Sequence, residues 1–244
     1  MSSVMAQSLL PEEIILVDDA SADEGKTVAK LRALKKRFSG ETNIKLIFEQ
    51  VNGGPAVARN SAWNVATRPF VAFLDSDDAW HPRKLEIQHG WMQAHKEVMA
   101  SWHDCIQLHG NKPLADIPDT FSHELMTKGG LLMSNDIYTR SVMLKRDLPL
   151  RFNPDKCFSE DYLLWLQIVC SGYRMAKLEI PLGYYFKARY GEGGLSGRLW
   201  DMEKGELSTY WQLRSAGHIN AVMTVLLSAY SLAKFVRRVV KRRL

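Results

Sequence analysis

Three short apolar runs, spaced by two helical stretches, constrain the fold of this 244-residue chain more than any other feature. Glu13 to Asp18, Asn43 to Phe48 and Phe70 to Asp75 are rich in β-branched and aromatic residues and predict buried strands. Between the first two, Val28, Leu31, Leu34 and Phe38 recur at helical spacing among Lys30, Arg32, Lys35, Lys36 and Arg37, and Ser21 with Glu24 has the form of a capping box. Between the second and third, Ala56 to Ala66 predicts a helix opened by Gly53-Gly54-Pro55. Strand, helix, strand, helix, strand makes an α/β fold with a mostly parallel central sheet, flanked by helices on right-handed crossovers.

Beyond Asp78 the rhythm changes. A helix from Pro82 to His95, a strand from Met99 to Leu108 and a polar loop region with short helices from His109 to Gly130 come first. A strand around Tyr138 to Lys145, a helix from Ser159 to Cys170, a strand pair within Met175 to Ala188 and a helix from Leu199 to Arg214 complete the body. No internal repeat or low-complexity linker divides it. With 46% hydrophobic and 24% charged residues, disorder and collagen-like repeats are excluded. Cys105, Cys157 and Cys170 are odd in number and lack CxxC spacing, which suggests neither a disulfide framework nor a zinc site and fits a reducing cytosol. The first ten residues lack the features of a secretory signal. The net charge of +5 resides in Lys234, Arg237, Arg238, Lys241, Arg242 and Arg243, leaving a nearly neutral body without a broad face for nucleic acid.

Carboxylates close two of the strands: Asp18 and Asp19 the first, Asp75, Asp77 and Asp78 the third. Ligands of open parallel sheets bind at the carboxyl ends of strands, and acids crowded there call for a hard divalent cation such as Mg²⁺ or Mn²⁺ bridging to nucleotide phosphates. Solvated turn formers and helix caps are the other reading of the same aspartates. Asn52-Gly53-Gly54-Pro55 with Arg59 joins a tight turn, a helix start and a cation, as a diphosphate would need. Glu160 and Asp161 open an amphipathic helix, where the helix dipole favours acids; a carboxylate there facing the same cleft could act as a general base.

Four motifs in order carry a resemblance. IILVDDAS from Ile14, NGGPAVARN from Asn52, FLDSDDAW from Phe73 with Pro82 and Lys84-Leu85, and EDYLLWL from Glu160 resemble the family 2 glycosyltransferases of GT-A fold, over roughly residues 4 to 196. The resemblance implies a GT-A domain over 1–197 and C-terminal helices over 198–244. It also implies inverting transfer of a sugar from a nucleotide-diphosphate donor, UDP-sugar foremost, to a sugar or lipid-linked acceptor in polysaccharide or glycolipid assembly. By analogy Asp18 and Asp19 are donor-binding, with Asp19 accepting from N3-H of the base, and Arg59 supports base or phosphates. Asp75 and Asp77 match the DXD metal motif, with Asp77 the direct metal ligand and Asp75 donor-binding, nearer the ribose or the metal's waters; Asp161 matches the catalytic base, and Glu160 is its neighbour as helper or spectator. Tyr184 to Gly197, with Gly191, Gly193, Gly194 and Gly197, is either a lid over bound donor or an ordinary exposed loop.

The family's opening strand, ending in a tyrosine-asparagine-like turn, has no counterpart here, and Met1 to Leu10 looks like the end of the helix that follows it. The strands at Ile14 and Phe70 are therefore expected to flank an empty slot, with either a start upstream of Met1 or a fragment of weak activity behind it. In the tail, Val222, Val225, Leu226, Ala229, Leu232, Val236, Val239 and Val240 keep helical spacing beside a basic stripe. A helix lying on the anionic cytoplasmic face of a membrane has this pattern, and so does a helix docked on the body with a solvated basic end. A non-catalytic membrane-associated scaffold and a metal-dependent nucleotidyltransferase are the rival readings of the whole. Trp80 and Trp102 are further candidates for stacking on an acceptor.

Overall fold

The computed structural model describes residues 1–108, 116–118, 120–186 and 198–243. Strand β1 (Glu13–Asp18) pairs in parallel with β2 (Asn43–Phe48), from Glu13 opposite Asn43 to Asp18 opposite Phe48. The crossover between them is helix α2 (Lys26–Phe38). Its start corrects the capping-box expectation. Asp23 accepts from Thr27 N (2.8 Å) and Thr27 Oγ1 (2.6 Å), while Ser21 Oγ donates back to Asp18 (2.5 Å). The turn through Gly25, at φ +82°, delays the helix, so the aspartate stands where the cap is needed.

Helix α3 (Gly54–Val65) follows β2 and leads to β3, which spans Phe70–Ala72 alone and so stops short of the expected Asp75. β3 belongs to a second, six-stranded sheet with β4 (Asp78–Trp80), β5 (Val98–Gln107), β6 (His123–Leu125), β7 (Met143–Lys145) and β8 (Arg174–Tyr185). The order is β3-β7-β5-β8-β4, with β6 also on β8. In this sheet β5 and β8 run parallel, and the β3–β7, β7–β5, β8–β4 and β6–β8 ladders are antiparallel. The α/β architecture stands, but the parallel pairing expected of the first three strands stops at β1 and β2. No ladder joins β1 to β3 among the described residues.

An apolar cluster lies across that gap instead. Val4 of helix α1 (Ser2–Met5) packs with Ile14 and Ile44 from one sheet and Met143, Val98 and Ala176 from the other, with Leu16, Phe70 and Ala72 half-buried at its edge. The apolar side chains of the two sheets thus find partners without a strand between them. Pro181 sits within β8 at a register shift opposite Asp104, where an irregular ladder tolerates a residue without N–H. The strand pair expected over Met175 to Ala188 is this single long strand, and its last residues lie outside those described.

Helix α4 (Lys84–Ala94) packs on β5, and α6 (Glu160–Cys170) carries the main core. Tyr162, Leu163, Leu164, Trp165, Leu166 and Ile168 of α6 are all buried, beside an aromatic group in which Phe152 meets Trp63, Phe73 and Trp165 edge-on. Short helix α5 (Lys128–Met133) adjoins α6, and a turn of 3₁₀ helix, Thr139–Ser141, replaces the first half of the strand expected from Tyr138. Helices α7 (Leu199–Ser215) and α8 (Ala221–Arg243) pack as a pair. Tyr210, Leu213, Ile219 and Leu227 from this end enter the same core as Trp63 and Trp165. Buried Glu203 of α7 accepts from Ser231 (2.7 Å) and Arg238 (2.8 Å) of α8, and Glu206 from Lys234 (3.1 Å). Among the described residues no helix is long and apolar enough to cross a membrane.

Candidate functional site

The turn after β1 sets the first part of the site. Asp18 is buried and lines neither of the cavities described below, because its Oδ1 is turned into the Ser21 hydroxyl. Asp19 faces the other way. Its two carboxylate oxygens accept from Gly53 N (2.9 Å) and Gly54 N (2.7 Å), and its carbonyl accepts from Asn52 Nδ2 (2.8 Å). The expected link between the first acidic turn and the glycine loop is therefore a direct one, through backbone N–H groups at the start of α3. A β-carbon on Gly53 would sit 2.8 Å from Val57, and Gly54 has φ +81°, so this loop needs both glycines. Asp19, Asn52, Gly54, Pro55, Cys157, Phe158 and Arg198 line a cavity of about 530 Å³.

One turn into α3, Arg59 reaches α6 and the segment after β3. Its guanidinium donates to Glu160 Oε1 (2.7 Å) and to Asp75 Oδ1 (3.0 Å) and lies 5.5 Å from the Phe152 ring centroid. Burial works against its charge, but Asp75, Glu160 and Asp161 together hold it above the ordinary arginine value. Glu160 is pushed up, first by burial and then by the neighbouring Asp161, against the pull of Arg59. Next to Arg59, Asn60 makes a reciprocal pair with the Phe152 backbone, donating to its carbonyl (2.7 Å) and accepting from its N–H (3.1 Å).

The acids after β3 divide by role. Asp75 is 42% exposed at the side chain, while Asp78 is almost wholly covered and ion-paired to Arg140. Burial raises the Asp78 carboxyl above its usual range and Arg140 opposes that rise. Arg140 in turn lies over the Tyr138 and Tyr185 rings, at 5.0 and 5.1 Å. Asp161 accepts from Thr139 Oγ1 (3.0 Å) on one oxygen and from Tyr162 N (2.7 Å) on the other, which fixes its plane.

Asp75, Asp77, Arg59, Glu160 and Asp161 all line one cavity of about 790 Å³. Asp19 lies outside it, but Cys157 and Phe158 wall both spaces. Helix α8 supplies part of the wall, through Tyr230, Lys234, Arg237 and Arg238. The sequence pattern did not foretell that wall, nor the Thr139 contact to Asp161 or the Arg140 contact to Asp78. Trp80 and Trp102 are buried away from the cavity, with Trp80 Nε1 donating to the Arg140 carbonyl, so neither stacks on a ligand. The lid expected over Tyr184 to Gly197 lies outside the described residues from 187 onward.

Two carboxylates on the cavity wall, Asp75 and Asp77, offer hard oxygen donors suited to Mg²⁺ or Mn²⁺. No cluster of three or more His, Cys, Asp or Glu able to hold a metal exists among the described residues. That donor set fits a cation carried largely by substrate phosphates, since Mg²⁺ in such sites takes one or two carboxylates and keeps the rest of its shell for phosphate and water.

Comparison with known proteins places the chain in a family and a fold. The model of glycosyl transferase family 2 matches residues 1–157. The Escherichia coli enzyme WfgD, a UDP-Glc:alpha-D-GlcNAc-diphosphoundecaprenol beta-1,3-glucosyltransferase, is 31% identical over 193 residues, covering 74% of this chain and 72% of its own. Among solved structures, S. aureus TarS 1-349 in complex with UDP-GlcNAc superposes with a TM-score of 0.64 at 19% identity, covering 95% of this chain and 66% of that one. The mannosyltransferase PcManGT from Pyrobaculum calidifontis, in complex with GDP-Man and Mn²⁺, has a TM-score of 0.61 at 18% identity, covering 95% of this chain and 68% of that one. At these identities the two structures share the fold.

Proposed function

The chain belongs to glycosyl transferase family 2 and is a glycosyltransferase, and from that premise we propose that it moves a sugar from a nucleoside-diphosphate donor to an acceptor hydroxyl, with inversion at the anomeric carbon. One observation carries the proposal: the carboxylate of Asp161 shares a cavity with Asp75 and Asp77. A base and a diphosphate-holding edge then face the same reacting carbon.

In this reading Asp161 takes the acceptor's proton as its oxygen attacks, held in orientation by Thr139 and the Tyr162 N–H. Asp75 and Asp77 hold the divalent cation, Mn²⁺ or Mg²⁺, which when bound stabilises the departing diphosphate. Arg59 positions Asp75 and Glu160 and adds a cation beside the phosphates. Asp19 keeps lone pairs for a further donor after accepting from Gly53 and Gly54, so it can take N3-H of a uracil. Asp18 contributes by holding the turn through Ser21 rather than by touching donor. The UDP-sugar named for WfgD and the UDP-GlcNAc in the TarS complex favour a uridine donor, and the Mn²⁺ of PcManGT favours the cation.

The acceptor is assigned by analogy with WfgD to the lipid-diphosphate-linked saccharides of cell-surface polysaccharide or glycolipid assembly. Residues 1–197 carry the transfer and 198–244 the helices that meet a membrane. The exposed apolar side of α8, with Val222, Val225, Leu226, Val236 and Val240, favours peripheral binding at the cytoplasmic face. Asp161→Asn tests the central assignment. It should bind UDP with Mn²⁺ like the unaltered protein in calorimetry and lose about 10²- to 10⁴-fold in transfer rate. Transfer at an undiminished rate would overturn the reading.

A further inference from the structure

Charged groups from two parts of the chain line the large cavity: Asp75, Asp77 and Asp161 with Arg59 and Arg140 from the body, and three cations, Lys234, Arg237 and Arg238, from α8. Two of those cations are neutralised at home, Lys234 by Glu206 at 3.1 Å and Arg238 by Glu203 at 2.8 Å. Arg237 is exposed, lines the same cavity and has no ion pair among the described residues. A neutral saccharide has no use for a cation there, and the donor phosphates are accounted for at Asp75, Asp77 and Arg59. An arginine with no ion pair among the described residues, lining the same cavity as the candidate base, points to an anionic group on the acceptor.

What lies beside Arg237 identifies the kind of anion. Tyr230, Lys234 and Arg237 follow one another at four- and three-residue intervals and so share the cavity-facing stripe of α8. The adjacent stripe is apolar and open: Val225 is 62% exposed and Val236 58%, with Leu232 and Val240 on the same side. Passing around the helix, a ligand would meet an apolar strip, then a guanidinium, then a cavity ending in carboxylates. That sequence matches an amphiphile in the order alkyl chain, phosphate, sugar.

We infer that α8 is the acceptor platform of this enzyme, with Arg237 contacting the phosphate that links the acceptor sugar to its lipid and the Val225–Val236 side supporting the alkyl chain. The inference rests on the transferase reading above and adds to it the residue that recognises the acceptor's linker.

Binding to the 244-residue chain separates the two. In EDTA, so that no cation recruits phosphate to the acidic side, decyl diphosphate and inorganic diphosphate are titrated against the unaltered protein, Arg237→Ala, Arg237→Lys and the double variant Val225→Ser with Val236→Ser. The unaltered protein should bind the decyl compound more tightly than inorganic diphosphate. Arg237→Ala should weaken it about tenfold, the size of one charge-assisted contact. Arg237→Lys should recover part of that loss, and the double serine variant should erase the preference for the decyl chain. In a parallel titration with Mn²⁺, UDP should bind all four proteins equally. Failure of UDP to bind at all would strike the transferase reading itself. UDP binding with no decyl diphosphate binding, or with equal decyl diphosphate affinity in Arg237→Ala, would overturn only the acceptor platform. A loss of UDP affinity in Arg237→Ala would do the same, by placing the arginine on the donor.

Discussion

Lys84 offers a stability prediction with a definite sign. It begins α4 with 0% exposure, its Nζ lies 3.8 Å from the Trp80 ring centroid, and no hydrogen-bond partner for that nitrogen exists among the described residues. Burial, offset in part by Cys105, lowers its pKa to about 7. The other titratable groups in this electrostatic neighbourhood are themselves held neutral: burial, and then Lys84, keeps His103 at about 3, and burial raises Cys105 to about 11. A lysine whose folded pKa is depressed binds its proton more readily in the unfolded chain, so stability climbs with pH between about 7 and the unfolded value near 10.5. Integrating that linkage, Lys84 costs about 4 kcal/mol at pH 7 and about 2 kcal/mol at pH 9. Lys84→Met keeps the volume and removes the titration. Equilibrium urea unfolding of both proteins, read by tryptophan fluorescence, should show the advantage of Lys84→Met shrinking by about 2 kcal/mol from pH 7 to pH 9. A difference that stays constant over the two pH units would refute a neutral, buried amine at this position.

Two further outcomes follow from geometry alone. Gly53→Ala places a β-carbon 2.8 Å from Val57, so it should destabilise the chain by about 1–3 kcal/mol and weaken UDP binding more than acceptor binding, measured by urea titration and calorimetry. Paired substitution of Val225→Glu and Val236→Glu should leave α8 folded, because both side chains face solvent, yet abolish flotation with phosphatidylglycerol vesicles at low salt; vesicle binding by the double variant would show that the apolar side is not the contact.

β1 and β2 match their apolar runs residue for residue, yet only Ile14 and Asp18 of the first and Ile44 of the second are buried, so the expectation of buried strands is corrected to half-buried ones. α6 lies where EDYLLWL places it, because nearly every side chain of its first turns is covered. The start of α2 was misread because Ser21 with Glu24 and Asp23 with Thr27 both satisfy a cap on paper. Only the turn at Gly25 decides which acceptor reaches a free N–H. β3 ends early because its ladder partner does: Ala72 pairs with Met143, the first residue of β7, and a 3₁₀ turn comes just before it, so Phe73 and Leu74, though apolar enough for a strand, have no partner on that side. Within the candidate site, the acids stood out at strand ends and a helix start, and their roles, with that of Arg59, came from the resemblance of the four motifs. Thr139 and Arg140 did not stand out, since their contacts to Asp161 and Asp78 are long-range and leave no local pattern.

Arg59 has a mechanical consequence as well as an electrostatic one. Among the described residues the two-stranded sheet that precedes Asp19 shares no ladder with the six-stranded sheet, so side chains join them: the apolar cluster around Val4, the Arg59 fork to Glu160 and Asp75, and the paired amide of Asn60 on Phe152. Losing the fork would therefore remove one of several ties while leaving Asp75 and Glu160 without the cation they share.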